Sequence, residues 1–377
     1  MKQYDYIIAG AGAAGLTLAY VSRIKQGLKK SILIIDREDK SKNDRTWCFW
    51  EKSDNLFEHL IFKSWPNATY AGTNFKETYN IAPYTYKLIR GIDFYDFVKK
   101  SLKEDEYITW LQEDIQEIAP NGTVVTENGS YQGELVFDST FDYQDLSNSK
   151  ATTLLQHFQG YVIETAQDHF NPEELTYMDF SIDQEGDCRF GYVLPLDKRK
   201  ALVEYTLFNK TLLEKEAYKV RLEAYIKSLG ISEYKVIEEE YGIIPMTDHA
   251  FEMRASDHVI RIGINGGFAK PSTGYTFLRG QKIIIKMVEN LAKGLDPLKN
   301  LPFQKSKYKK YDATLLNVLA SKKFTGDEVF TPMFKKNGAK AFFKFLDEET
   351  SLAEELKIMS STPILDFGAA FIKSMLK

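Results

Sequence analysis

The feature that most restricts the fold is a glycine-rich turn near the start of the chain, GAGAAG at residues 10–15. An apolar run at residues 4–9 precedes this turn, and a second apolar stretch at residues 16–21 follows it. A β-rich run at residues 31–35 comes next and ends in Asp36. The order of strand, glycine turn, helix and strand predicts a βαβ unit.

The glycine spacing, with an acid 21 residues beyond Gly15, matches the fingerprint of a dinucleotide-binding unit. Gly10 permits a tight turn, Gly12 lets the backbone approach a pyrophosphate, and Gly15 lets the helix pack closely on the strand. The start of the helix offers unpaired N–H groups to phosphate, and Asp36 is placed to hydrogen-bond a ribose. The residues predicted to bind the cofactor here are Gly10, Gly12, Ala13, Ala14, Gly15, Asp36 and Arg37.

The position of this fingerprint at the beginning of the chain favours FAD over NAD, although the spacing to Asp36 does not by itself exclude NAD. A second glycine loop at residues 266–274 follows an apolar run at 258–264 and precedes a predicted helix at 275–293. Flavoproteins place such a loop over the flavin, where backbone amides attract negative charge. The residues predicted to bind the cofactor in this loop are Gly266, Gly267, Pro271, Thr273 and Gly274.

These patterns predict an α/β protein with a Rossmann-like FAD-binding fold of the glutathione reductase or p-hydroxybenzoate hydroxylase type. That fold is interleaved with an antiparallel-sheet substrate domain and followed by a helical C-terminal region, because short strand patterns fill the middle of the chain and helical spacing dominates from about residue 305. The predicted regions are 1–60, 86–150 and 250–300 for FAD binding, 61–85 and 151–249 for the substrate domain, and 301–377 for the helices.

Composition excludes several classes of function. A formal net charge of −4 and the lack of a basic block argue against nucleic-acid binding. The two cysteines, Cys48 and Cys188, cannot form a CxxC metal site and fit a reducing cytoplasm. The five histidines show no ligand spacing, so no metal is predicted, and no run of 18 apolar residues predicts a membrane span.

Several further segments match one family, nearly end to end and in the same order. The chain resembles the FAD-dependent lycopene cyclases of carotenoid biosynthesis, most closely the bacterial β-cyclases. The matching segments include NDRTWCFW at 43–50, IRGIDFY at 89–95, QHFQGYVIET at 156–165, YVLPL at 192–196, ALVEYT at 201–206, GIIPM at 242–246 and KPSTGYTF at 270–277.

The resemblance implies an isomerase, an intramolecular lyase that closes the linear ends of lycopene into β-rings through γ-carotene to β-carotene without a net redox change. It implies reduced FAD that is not consumed, with NAD(P)H as a candidate reductant. The acidic strand motif of the family maps onto residues 202–206. Plant members have two glutamates there, but Tyr205 replaces the second in this chain, so Glu204 is the sole candidate for the acid. Asp179 is the predicted partner that orients or tunes this acid, and Arg45 is predicted to pair with phosphate or flavin charge.

The chemistry of ring closure supports Glu204 as the acid. Alkenes are poor bases, so the acid must remain protonated until it meets the substrate, and burial of a carboxyl in an apolar pocket keeps it protonated. A negative flavin and aromatic faces would then stabilise the carbocation. The acidic cluster at residues 347–349 is interpreted instead as a solvated or capping cluster.

Two other functions remain open at this point. A flavin-dependent monooxygenase or polyprenyl reductase of the same fold would change the mass of its substrate, and a non-catalytic flavin- or carotenoid-binding protein would not need Glu204. A linear carotenoid substrate also implies contact with a membrane surface, so we expect a cytoplasmic protein associated peripherally with the membrane. The apolar stretches 342–346 and 364–376, flanked by lysines, are the candidates for shallow insertion.

Overall fold

A computed structural model describes residues 1–146, 149–303 and 305–375. Within these ranges the chain forms three sheets and eight α-helices. The strands are β1 Lys2–Ala9, β2 Ile32–Asp36, β3 Thr46–Glu51, β4 Lys63–Trp65, β5 Asn67–Gly72, β6 Phe75–Asn80, β7 Thr85–Arg90, β8 Ile108–Gln112, β9 Ile115–Ile118, β10 Thr123–Thr126, β11 Ser130–Asp138, β12 Thr153–Thr165, β13 Glu174–Asp179, β14 Cys188–Pro195, β15 Lys200–Asn209, β16 Tyr234–Thr247 and β17 Val259–Arg261. The helices are α1 Ala13–Tyr20, α2 Gly91–Ser101, α3 Lys215–Ser228, α4 Phe277–Ala292, α5 Ser306–Ala320, α6 Gly326–Leu346, α7 Leu352–Met359 and α8 Ile364–Met375.

The first sheet confirms the predicted βαβ unit. Its order is β8-β2-β1-β11-β10-β9, with β17 beside β11, and β1 pairs in parallel with both β2 and β11. Ile8 and Ile34 pack against α1, α2 and α4 on one face, while Ile7 and Leu33 pack on the other. Because both faces are covered, β1 and β2 are continuous apolar runs, as expected for strands buried in a parallel sheet.

The second sheet has the order β16-β12-β15-β14-β13-β5-β6 and is antiparallel except for the pair β13 and β5. Its strands alternate between two apolar layers. Val203 and Tyr205 of β15 pack against α3, whereas Leu202 and Phe208 belong to a larger core on the opposite face, which α5 and α6 cover. This alternation decides which side chains of β15 reach the functional site.

A short third sheet, β3-β7-β4, joins the two cores. Phe49 of β3 is buried in the core of the first sheet, and its neighbour Trp50 is buried in the core of the second. The helices predicted beyond residue 305 are present as α5–α8, although residues 304, 376 and 377 of the predicted helical region lie outside the described residues. The predicted boundaries of the three regions stay a prediction.

Candidate active site

A cavity of about 1280 Å³ lies between the first and second sheets. One end is lined by the first turn of α1, and the middle by β15, β16 and the loop that precedes α4. The far end is lined by residues of α5, α6, α7 and α8. Both sites that the sequence predicts, the dinucleotide fingerprint and the acid, therefore open into one continuous space.

The fingerprint forms the tight turn that its glycines predict. Gly10 has φ +97°, a conformation that favours glycine. A side chain at Gly15 would strike the carbonyl oxygen of Gly10, so only glycine lets α1 pack this closely on the turn. Gly12, Ala13 and Ala14 line the cavity with the first turn of α1, whose backbone N–H groups have no partner within the helix.

Asp36 holds this turn in place. Its carboxylate accepts hydrogen bonds from the backbone N–H of Ala11 at 2.6 Å and of Glu38 at 2.8 Å, and it pairs with Lys40 at 3.2 Å. Asp36 is not among the described residues that line the cavity, so its predicted contact with a ribose stays a prediction. The cations Arg37, Lys40 and Arg45 do line this end of the cavity.

The second glycine loop reaches the cavity with only some of the predicted residues. Thr273 and Gly274 line it, whereas Gly266, Gly267 and Pro271 are not among its described lining residues. A side chain at Gly266 would lie 2.6 Å from the carbonyl oxygen of Arg261, so this glycine allows the chain to fold back on β17. Gly266 and Gly267 therefore shape the loop behind the cavity wall.

Two buried polar atoms beside this loop were not predicted. The Ser272 hydroxyl and the Gln281 side-chain nitrogen line the cavity and, in the described part of the chain, have no hydrogen-bond partner. Buried polar groups without partners are uncommon, so these two atoms indicate a polar ligand at this wall. Gln281 lies on α4, beyond the glycine loop, and no local pattern distinguishes it from other polar helix residues.

Glu204 lies in the apolar middle of the cavity. It is on the face of β15 that points away from α3, between Leu202 and Thr206, and only 8% of its surface is exposed. Burial raises the pKa of the Glu204 carboxyl well above its ordinary value, and the neighbouring Glu240 carboxyl raises this pKa further. Thr206 donates a hydrogen bond to Glu204 at 3.4 Å. This environment favours the protonated form of Glu204.

Glu240 was missed by the sequence analysis. In the register of the second sheet, Gly160 of β12 lies opposite Glu204 on one side and opposite Glu240 of β16 on the other. The two carboxyl groups meet across this glycine and share a hydrogen bond. Both line the cavity, and the Thr46 hydroxyl donates to Glu240 at 2.7 Å. One feature of the sequence could have pointed to Glu240. It precedes Gly242, in the family-matching segment GIIPM, by two residues and so lies on the same face of the strand.

Aromatic side chains surround the two carboxyls. The hydroxyls of Tyr192 and Tyr275 each lie 2.6 Å from that of Tyr86, and burial raises the pKa of all three phenols. The three phenols are therefore neutral, and each hydroxyl can donate a hydrogen bond. The aromatic residues that line this part of the cavity include Phe158, Tyr177, Phe190, Tyr192, Phe208 and Tyr275.

Asp179 lies on the other side of the second sheet from this group. Its carboxylate accepts hydrogen bonds from Ser181 and, at 3.2 Å, from Tyr225 of α3. It is absent from the described cavity lining, and the expected contact with Glu204 is not found. The physical reason is a register shift in β13 between Thr176 and Met178, so Asp179 points to the α3 layer although Tyr177, two residues earlier, lines the cavity.

The acidic cluster at residues 347–349 makes structural contacts. Asp347 accepts a hydrogen bond from the Trp50 indole at 2.8 Å, and burial raises the pKa of Asp347 to about 6. Glu348 lies 3.4 Å from Lys270, and Glu349 pairs with Lys52. Among the described residues, no group of histidines, cysteines and acids could hold a metal ion.

The far end of the cavity opens beside α7 and α8. Leu356, Ile364 and Phe371 line the cavity and are also exposed at the surface. Next to them Leu365 is 87% exposed and Ile372 is 62% exposed. In the described ranges, the helices are too short or too polar to cross a bilayer.

Comparisons with known proteins show the family of the chain. The family model "Lycopene cyclase protein" matches residues 5–370. A chloroplastic neoxanthin synthase of Solanum tuberosum is 27% identical over 78% of this chain and 61% of its own length. The lycopene beta-cyclase of Pseudescherichia vulneris is 26% identical over 72% of this chain and 70% of its own length. The match thus spans about three fifths of the plant relative.

Solved structures share the fold at low identity. A geranylgeranyl bacteriochlorophyll reductase-like protein from Thermoplasma acidophilum has a TM-score of 0.68 and 13% identity, covering 98% of both chains. A flavin-dependent brominase has a TM-score of 0.60 and 16% identity, covering 98% of this chain and 94% of its own. These likenesses confirm the predicted fold class, and the family model identifies the chain itself. The protein belongs to the lycopene cyclase family.

Proposed function

We propose that this protein is a lycopene β-cyclase that closes the linear ends of lycopene into β-rings without a net redox change. The observation that carries the proposal is Glu204, a buried carboxyl in an apolar, aromatic-lined cavity with its pKa raised well above the ordinary value. Such a group can act as a general acid, which protonation of an alkene requires.

The reaction balances with one proton in and one proton out. The O–H bond of Glu204 breaks as its proton adds to the terminal double bond, which leaves a cation on the neighbouring carbon. The electron pair of a second double bond forms the ring bond and moves the cation into the ring. Loss of a ring proton then forms the new double bond. The product has the same composition as the substrate.

The lining of the cavity is suited to the cation. Tyr192 lies opposite Glu204 in the pairing of β14 with β15, and Tyr275 and Phe208 line the same cavity. The face of an aromatic ring carries negative charge density, which attracts a cation. The apolar surfaces of these three rings also keep out water, which would otherwise trap the cation as an alcohol. The hydrogen bonds among the tyrosine hydroxyls fix the orientation of two of these rings.

FAD is the cofactor that we propose, and the described residues fit it. The amides of Gly12 and Ala13, together with Arg45, would hold the phosphates, while the unpartnered Ser272 and Gln281 atoms would meet polar groups of the isoalloxazine ring. When bound in its reduced form, FAD supplies negative charge beside the cavity that holds the cation. NAD(P)H is proposed only as the reductant that keeps the flavin reduced.

A location at the cytoplasmic membrane surface is part of the proposal. Lycopene dissolves in lipid, and the cavity opens beside the exposed apolar side chains of α7 and α8. Lys357 and Lys373 flank these side chains, as in helices that lie in the headgroup region of a bilayer. Of the predicted stretch 364–376, Leu376 lies outside the described residues.

The test is anaerobic incubation with lycopene in lipid vesicles and photoreduced FAD, followed by chromatography and mass spectrometry. We expect cyclic products of unchanged mass and no NADPH consumption in proportion to product. A product that has gained oxygen or hydrogen would show a monooxygenase or reductase instead. Flavin binding with no change in lycopene, but turnover of an oxygenated carotenoid, would move the substrate class toward that of the plant relative.

A further inference from the structure

Two carboxyl groups, not one, lie at the centre of the cavity. β12 runs between β15 and β16, and its Gly160 has no side chain to separate Glu204 from Glu240. A Cβ atom at Gly160 would lie 2.8 Å from Cγ of Glu204 and 3.1 Å from Cγ of Glu240. The two carboxyls therefore approach each other through the space that the missing side chain leaves.

Contact between the two carboxyls favours a proton on the pair, because the neighbouring Glu240 adds to burial in raising the pKa of Glu204. Two negative charges this close in an apolar site repel strongly, so they form together only beside a compensating positive charge, such as the cation left on the substrate when Glu204 gives up its proton. A hydrogen bond between the two carboxyls requires a proton on one of them. The pair thus contains one acid and one base at the same time. Burial raises the pKa of the adjacent Cys48 thiol and Tyr192 phenol, so these two neighbours stay neutral.

The two members of the pair differ in their surroundings. Glu204 is buried and receives only a 3.4 Å hydrogen bond from Thr206, whereas Glu240 is partly exposed and receives a 2.7 Å hydrogen bond from Thr46. A short hydroxyl donor and access to solvent both favour the ionised form of a carboxyl. These surroundings make Glu204 the better placed proton donor of the pair and Glu240 the better placed proton acceptor.

We propose that Glu240 is the base of the cyclisation, which removes the ring proton after Glu204 has protonated the substrate. This role deepens the proposed function and rests on it. The C–H bond of the ring carbon breaks, its electron pair forms the new double bond, and the proton adds to Glu240. Transfer of that proton along the hydrogen bond between the two carboxyls returns the pair to its starting state.

The decisive variant is Glu240→Gln, which keeps the size of the side chain but removes the base. We expect the turnover number for cyclic product to fall about 100-fold or more, while the lycopene concentration at half saturation stays within a few-fold. Glu240→Asp should recover part of the loss. Glu239→Gln is the matched control. It removes the same charge from the same strand, but Glu239 is on the exposed face.

The pH profile separates catalysis from a merely structural role. With one shared proton, wild-type activity falls both when the pair gains a second proton and when it loses the first, which gives a bell-shaped profile. In Glu240→Gln the neighbouring charge is gone, so the residual activity should be lost at lower pH than the alkaline limb of the wild type. Wild-type turnover and an unchanged alkaline limb in Glu240→Gln would overturn the proposal.

A measurement that does not depend on turnover keeps this inference apart from the proposed function. The infrared carbonyl band of a protonated carboxyl, taken as wild type minus Glu204→Gln, reports the shared proton directly. We expect this band at neutral pH, and its loss on raising the pH should occur earlier in Glu240→Gln. An absent band overturns the shared proton, whereas a present band with no cyclisation of lycopene by wild type overturns the proposed function alone.

Discussion

Replacing Gly160 by alanine tests how closely the two carboxyls must approach. The added methyl carbon would lie 2.8 Å from Cγ of Glu204, 3.1 Å from Cγ of Glu240 and 3.1 Å from Cδ1 of Leu202. Carbon atoms in contact prefer separations of about 3.5–4.0 Å. Gly160 lies within β12 and is not among the glycines with positive φ, so alanine adds steric conflict without backbone strain.

The size of the effect follows from these distances. Both carboxyl side chains must move by about 0.5–1 Å to restore normal contacts. Overpacking of this kind destabilises a protein by about 1–3 kcal/mol, whereas misplacement of a catalytic group by about 1 Å reduces the rate by about 100-fold. We therefore expect folded protein with a modestly lower melting temperature and a cyclisation rate reduced by about two orders of magnitude.

The assay is the initial rate of β-ring formation, with thermal unfolding and flavin fluorescence measured on the same preparations. Gly129→Ala is the control, because a side chain there would make only ordinary contacts, at 3.5 Å or more from Tyr131. Full activity of Gly160→Ala, with a stability loss in the stated range, would show that close approach of Glu204 to Glu240 is not needed.

Three further outcomes are expected from the described contacts. Ser272→Ala and Gln281→Ala should each weaken FAD binding by about 2- to 10-fold, because each loses one net hydrogen bond of about 0.5–1.5 kcal/mol. Fluorescence titration measures the affinity, and an unchanged affinity would show that these two side chains do not contact the flavin. Burial lowers the pKa of His157 from 6.5 to about 4. As the pH falls, His157 is therefore protonated in the unfolded chain before it is protonated in the folded protein. Stability should fall as the pH drops from 6.5 to 4, by about 3 kcal/mol at most, and urea midpoints of His157→Gln should lack this loss. Leu365→Asp with Ile372→Asp should reduce flotation with vesicles, since both side chains are mostly exposed; undiminished flotation would place the membrane contact elsewhere.

Local pattern was enough to predict the βαβ unit of the first sheet, whereas the acid was found through the family resemblance. The glycine turn at residues 10–15 and the apolar runs around it are contiguous in sequence, so their periodicity predicts β1, α1 and β2 directly. Glu204 was found through the family resemblance of its strand motif, and the alternation of β15 correctly predicts that it faces inward. These features depend on neighbours within a few residues.

Features that depend on pairing between distant strands were not predictable in the same way. Glu240 meets Glu204 only because β15 and β16 both pair with β12, and no local pattern states that register. The run Glu238–Glu240 also resembles a solvated strand face in sequence. Asp179 was assigned to the site from its segment alone, whereas a register shift in β13 turns it toward Tyr225.

Counting deuterium in the product of a single turnover tests the central claim most directly. The enzyme, equilibrated in D₂O with reduced FAD, is mixed anaerobically with a smaller amount of lycopene, and the cyclic product is weighed by mass spectrometry. We predict one deuterium in place of one hydrogen in the first ring closed by the wild type, and no ring formation by Glu204→Gln. A product without deuterium, a product that gains two hydrogens or an oxygen, or undiminished cyclisation by Glu204→Gln would contradict protonation of the substrate by Glu204.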